Sequence, residues 1–121
     1  MGIKKYIADK DNTITNAYRI DLSSRATGSN MGASDILEVF SIYGQQTTSS
    51  AELSRVLVQF PVTEISSHRT SGTIPASGSV KFYLRMFNAK HSNTVPRDYR
   101  LDAHQVSSSW EEGVGLDMDD Y

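Results

Sequence analysis

Ser79-Val80-Lys81-Phe82-Tyr83-Leu84-Arg85-Met86-Phe87-Asn88 decides how this chain is read. Val80, Phe82, Leu84 and Met86 fall on one parity, and Lys81, Tyr83, Arg85 and Phe87 on the other. Successive side chains of a strand point to opposite faces, so a period of two predicts a strand with one wholly apolar face. The other face interleaves cations with rings, which suits a half-exposed sheet surface where Lys and Arg stems lie along aromatic edges.

The neighbouring segments follow the same logic. Residues 53–60 place Val56, Val58 and Phe60 on one face and Arg55 and Gln59 on the other, and Pro61 stops the run because it has no N–H for a ladder. Residues 36–43 are apolar on both faces, with Ile36, Phe40 and Ile42 against Leu37, Val39 and Tyr43, which predicts a central or doubly covered strand. Residues 99–106 form a weaker fourth strand. Near the start, residues 4–8 and 13–15 flank Asp9-Lys10-Asp11-Asn12, whose turn-forming side chains predict a short edge hairpin. Stretches rich in Ser, Thr, Gly and Asn, at 23–34, 44–50, 66–79 and 88–98, read as connections. Apolar spacing at i, i+3, i+4 and i+7 is not sustained anywhere, so at most one helical turn is expected, near residues 62–67. The expected fold is all-β: an antiparallel β-sandwich or jelly-roll-like single domain over residues 1–121, with little helix.

The 121 residues suit one core, and a chain of this size hides roughly two-thirds of its unfolded surface without staples. With no cysteine, thiolate catalysis, disulfides and cysteine-containing zinc sites are excluded. The sequence holds no apolar run near the roughly 20 residues that cross a bilayer, and residues 1–9 have no apolar signal core, so neither a membrane partner nor export by a leader is expected. Residues 110–121 carry five acids and no base, −5, which leaves +3 on the remainder. Only Lys4 and Lys5 are adjacent cations, which is far from the clustered positive face of a nucleic-acid binder.

Catalytic patterns are absent from the sequence. His68, His91 and His104 lie in different segments without HxH or HExxH spacing; the first two fall in expected loops, and His104 alternates outward beside Arg100 and Asp102. The abundant serines form no GxSxG elbow or SxxK pair. Glu111 and Glu112 are neighbours and point apart on an extended segment, so they do not make a glycosidase pair. No catalytic residue and no required cofactor is expected. Asp9, Asp11 and Asn12, and separately Asp117, Asp119 and Asp120, offer hard oxygen ligands of the kind calcium takes, without matching an EF-hand loop. Exposed rings would serve as stacking platforms for a glycan, and Tyr83 and Trp110, with Phe87 and Tyr43, are the candidates. A lone Trp more often plugs one end of a β core, and Trp110 stands where a strand passes into a loop.

Three stretches together carry a family likeness. Residues 50–61, with Arg55 ahead of Leu57 and Phe60, then Ile74-Pro75-Ala76-Ser77-Gly78-Ser79-Val80, then Ser109-Trp110-Glu111-Glu112-Gly113 resemble, in order and spacing, the DNRLRE-type β-sandwich modules of secreted and surface proteins. Asp11-Asn12-Thr13-Ile14-Thr15-Asn16 and Gly28-Ser29-Asn30-Met31-Gly32-Ala33-Ser34-Asp35 are similar to the opening of virion structural proteins in tailed phages of marine cyanobacteria. The resemblance implies a non-enzymatic module located in a virion or on a surface, with Arg55, Phe60 and Trp110 as framework residues. Its implied partners are other protein subunits, as a homo-oligomer or with virion proteins. In such relatives further strands follow the Trp-Glu-Glu-Gly segment, whereas this sequence ends at Tyr121, so a sandwich lacking its last strands and completed by a neighbour is expected. The alternative function is a carbohydrate-binding module for host recognition.

Overall fold

A computed structural model describes residues 2–45, 47, 50–91 and 98–116. Three strands, β1 (Lys10–Thr15), β2 (Ser41–Tyr43) and β3 (Ala51–Gln59), form one antiparallel sheet in the order β1-β3-β2. One helix, α1 (Val62–Thr70), and a 3-10 turn at Ser77–Ser79 follow. The fold is thus β-rich with little helix, as the sequence led us to expect. The second sheet of a sandwich is not among the described elements. The chain divides into two units, residues 1–81 with 112–121 and residues 82–111.

In the first unit β3 is the organising strand. Its alternation and its Pro61 stop place it as read, and it pairs Leu57 with Asn12, Val56 with Thr13 and Glu52 with Ile42. The expectation for residues 36–43 is corrected: only Ser41–Tyr43 form a strand, short and exposed, at the edge of the sheet. Residues 38–40 stay beside β3 through a side chain instead. Ser54 Oγ accepts from Phe40 N–H at 2.7 Å and donates to Glu38 C=O at 2.9 Å, while Ser54 N–H reaches Phe40 C=O at 3.0 Å. Ser54→Ala removes two of these three bonds, so we expect a loss of about 1–2 kcal/mol. Amide exchange at Phe40 should rise by roughly tenfold. Unchanged exchange would show that residues 38–40 do not depend on this hydroxyl.

The hairpin expected around Asp9-Lys10-Asp11-Asn12 is also corrected. β1 runs straight through it, pairing Lys10 with Gln59 and Asp11 with Val58. A local turn would have used the Asn12 side chain nearby. Instead its amide Nδ2 donates to Glu112 C=O at 2.6 Å and its Oδ1 accepts Met31 N–H at 2.9 Å, so distant partners hold the residue extended.

A further correction concerns residues 62–70, which form two and a half turns of helix rather than one. The apolar spacing is missing because no residue of α1 is fully buried. Its signals are local: Pro61 precedes the first turn, where a missing N–H costs nothing, Glu64 sits in the first turn and Arg69 in the last. Ile74 N–H returns to His68 C=O at 3.1 Å, and Ile74 is buried against the helix end. Among the described residues the only other buried apolar side chains are Ala26 and Met31, and Asn12, Thr13 and Ser29 are buried with them. The centre of this unit is therefore as polar as it is apolar, and hydrogen bonding has to hold much of it.

In the second unit, the strands read at residues 79–88 and 99–106 are corrected as paired elements. Both segments are described without strand assignment, and apart from Ser79 N–H, which closes the 3-10 turn on Ala76 C=O, neither carries a backbone–backbone hydrogen bond among the described residues. The alternation that predicts a strand is present, and a neighbouring strand to complete a ladder is not among the described elements.

Candidate functional site

Two places in the molecule gather the residues that the sequence singled out. The first is a polar clasp in the first unit, built where β1, residues 28–34 and residues 112–115 meet. Glu112 lies at its centre. Its carboxylate Oε1 accepts Asp11 N–H at 2.9 Å and its carbonyl accepts the Asn12 amide. Two backbone groups of β1 are thus satisfied away from β3, because Thr13 C=O also accepts Met31 N–H at 3.2 Å. Asn30 closes the other side: its Oδ1 accepts Gly32 N–H at 3.2 Å and Gly115 N–H at 3.0 Å, and Ala33 N–H reaches Gly115 C=O at 2.9 Å. An exposed β1 edge would be a template for unwanted pairing, and this cover blunts it.

Such close approach requires glycine. A Cβ on Gly32 would fall on the Glu112 carbonyl, and one on Gly115 would fall on the Asn30 carbonyl. Gly113 adopts φ +82°, a left-handed conformation, directly against the Asn30 side chain. The stretch at 28–35 and the Glu112-Gly113-Val114-Gly115 run therefore meet here through their backbones. Their spacing alone does not reveal that they touch. A second polar tie lies nearby: Arg25 stacks over Tyr18 at 4.0 Å and donates to Asn16 C=O at 2.6 Å, while Glu52 Oε1 accepts Tyr18 N–H at 2.9 Å. In the loop between Tyr18 and Arg25, Ser23 donates its N–H and its hydroxyl to Asp21 and holds that carboxyl below its usual range.

The candidate catalytic and metal residues do not gather. His68 is corrected from a solvated loop residue to a half-buried one on α1, with Nδ1 at 2.9 Å from the Tyr6 hydroxyl and 3.7 Å from Glu64. His91 and His104 are exposed. Arg100 and Asp102 form an ion pair at 2.8 Å, consistent with their sharing one face of an extended segment. Asp9 is exposed and Asp11 half-buried, and no cluster of three potential metal ligands occurs among the described residues. Asp117 and Asp119 lie outside the described residues. Surface depressions are shallow. One of about 90 Å³ is lined by Ile14, Thr15, Asn16, Leu53 and Arg55, and a wider one of about 250 Å³ lies on α1 among Val62, Ile65, Ser66 and Arg69; both fall below the roughly 300–1,000 Å³ of ordinary small-molecule sites. No helix among the described residues is long and apolar enough to cross a membrane.

The second place is residues 82–91 and 98–111, where the exposed apolar side chains concentrate. Phe82 is 63% exposed, Tyr83 82%, Leu84 54%, Met86 60% and Phe87 78%, with Tyr99 and Leu101 also open. Arg85 covers the Phe87 ring at 4.8 Å, the cation-over-ring contact that the alternating pattern anticipates. Of the two glycan-platform candidates, Tyr83 is open to solvent and Trp110 is half-buried. Isolated exposed apolar residues are ordinary. A contiguous run with both faces open and no backbone partners among the described residues is less so. No protein family, curated protein or solved structure matches the chain.

Proposed function

We propose that this protein is a non-enzymatic structural subunit whose β-sandwich is closed by strands of neighbouring subunits. The observation that carries the proposal is the extended 82–91 segment, apolar on one parity from Phe82 to Met86, exposed along its length and without a backbone hydrogen bond among the described residues. Burying such a run supplies hydrophobic stabilisation of roughly 25 cal/mol per Å², and pairing its backbone supplies ladder bonds, both available from another chain. The likeness to phage virion proteins makes a virion the assembly in question.

Size-exclusion chromatography with light scattering tests the proposal. A mass at least twice the monomer's 13.4 kDa, rising with concentration, is expected. A strict monomer at high concentration would overturn it. The second reading, glycan recognition, is favoured by one observation: the Tyr83 and Phe87 rings stand open on the same parity of one segment. It requires glycan binding that Tyr83→Ala abolishes.

A further inference from the structure

We infer that a second copy of this chain pairs with the first through residues 81–87, antiparallel and centred on Leu84. The inference rests on the assembly reading above and adds the partner, the surface and the register. It starts from a near-palindrome of chemistry, Lys81-Phe82-Tyr83-Leu84-Arg85-Met86-Phe87. When two copies run antiparallel about Leu84, Phe82 of one faces Met86 of the other and Leu84 faces Leu84. On the opposite side Tyr83 faces Arg85 and Lys81 faces Phe87. Phe82, Leu84 and Met86 thereby meet apolar residues, and each cation meets a ring. Directly opposed aromatic, aliphatic and cation–ring pairs stabilise a ladder, and like charges directly opposed destabilise it.

Other registers fail on the same criteria. Centring on Tyr83 sets Lys81 against Arg85, and centring on Arg85 sets that residue against itself. Centring on Met86 places Phe82 opposite Lys90. Centring on Phe82 carries Met86 onto the 3-10 turn at Ser77–Ser79, which is not extended. A slip by one residue turns the apolar row toward the charged one, and parallel pairing stacks Lys81 on Lys81. The exposed parts of Phe82, Tyr83, Leu84, Met86 and Phe87 amount to roughly 700 Å² per copy. Standard interfaces bury about 600–1,000 Å² per partner. A two-fold axis through Leu84 makes the contact isologous, so it closes as a dimer.

The absence of cysteine makes the test clean. Leu84→Cys places two thiols opposite each other, with Cα atoms about 4.5–5.5 Å apart, inside the range a disulfide spans. In the same register Phe82→Cys and Met86→Cys each set their own thiols about 13 Å apart. Under mild oxidation, Leu84→Cys is expected to give the covalent dimer at least tenfold faster than either of the other two variants. A mixture of Phe82→Cys with Met86→Cys should give the mixed dimer. Equal rates for the three single variants, or no dimer from Leu84→Cys, would overturn the register. If light scattering still finds an oligomer in that case, the assembly reading stands and only the register falls, whereas a monomer removes both. A hairpin formed within one chain by residues 82–91 and 98–111 would appear as failure of the Leu84→Cys cross-link.

Discussion

Gly32→Ala should lower the unfolding free energy by about 2–3 kcal/mol and the Tm by roughly 10–20 °C. The position allows no side chain, because a Cβ there would coincide with the Glu112 carbonyl and crowd the Gly113 carbonyl beside it. Both obstacles are backbone, so no rotamer change relieves them, and residues 112–115 must withdraw from β1. Their withdrawal strands Asp11 N–H and the Asn12 amide. Gly78→Ala is the matched control, since a Cβ at that position meets nothing within 4 Å, and it should stay within about 0.5 kcal/mol of the parent. Thermal unfolding followed by circular dichroism compares the two. If Gly32→Ala melts with Gly78→Ala, the clasp does not close in solution.

The second large effect is expected at Asn12, which is 3% exposed and bonded through both ends of its amide. Asn12→Leu keeps the branching at Cγ and removes both bonds, leaving the Glu112 carbonyl without its amide donor and Met31 N–H with only Thr13 C=O, for a loss of about 3 kcal/mol. Asn12→Asp is the more informative change. It keeps an acceptor for Met31 N–H but turns an oxygen toward the Glu112 carbonyl. Burial and that carbonyl both disfavour the carboxylate, so the folded-state pKa of the introduced acid lies above the ordinary value of about 3.9. An acid whose pKa is raised on folding destabilises the folded state progressively as pH rises past its unfolded value. The gap between Asn12→Asp and the parent should therefore be widest near neutral pH and should narrow below about pH 4, where the protonated oxygen can donate again. Urea unfolding across that range measures it. A gap independent of pH would mean that the residue 12 side chain does not face Glu112.

How far the sequence could be read depends on where each residue's partners lie. β3 was legible because its signals are its own: alternation from residue 53 to 60 and a proline that stops it. Asn12 was misread as a turn residue because its partners are Glu112 and Met31, about 100 and 19 positions away, and local composition carries no trace of them. The helix at 62–70 escaped the periodicity test because it is a surface element, identified by end charges and Pro61 rather than by an apolar stripe. Residues 79–88 show the opposite problem. Their alternation states which faces they present and is silent on what pairs with them. The candidate sites divide likewise: Tyr83 lies on a face whose alternation is legible and is open to solvent, while the contacts of the Glu112-Gly113-Val114-Gly115 run with Asn30 and Gly32 leave no trace in local composition.

The clasp also sets an order of events during synthesis. The group that satisfies Asp11 N–H, the Glu112 carboxylate, is translated about 100 residues after β1. At roughly 5–20 residues per second, the nascent chain carries an incomplete first unit for at least several seconds. Closing so long a loop adds little entropy cost beyond that of a shorter one, but contacts of such high separation slow the final step. The clasp therefore closes late, after β1 and β3 have already had time to pair, and acts as a lock on a sheet that forms before it.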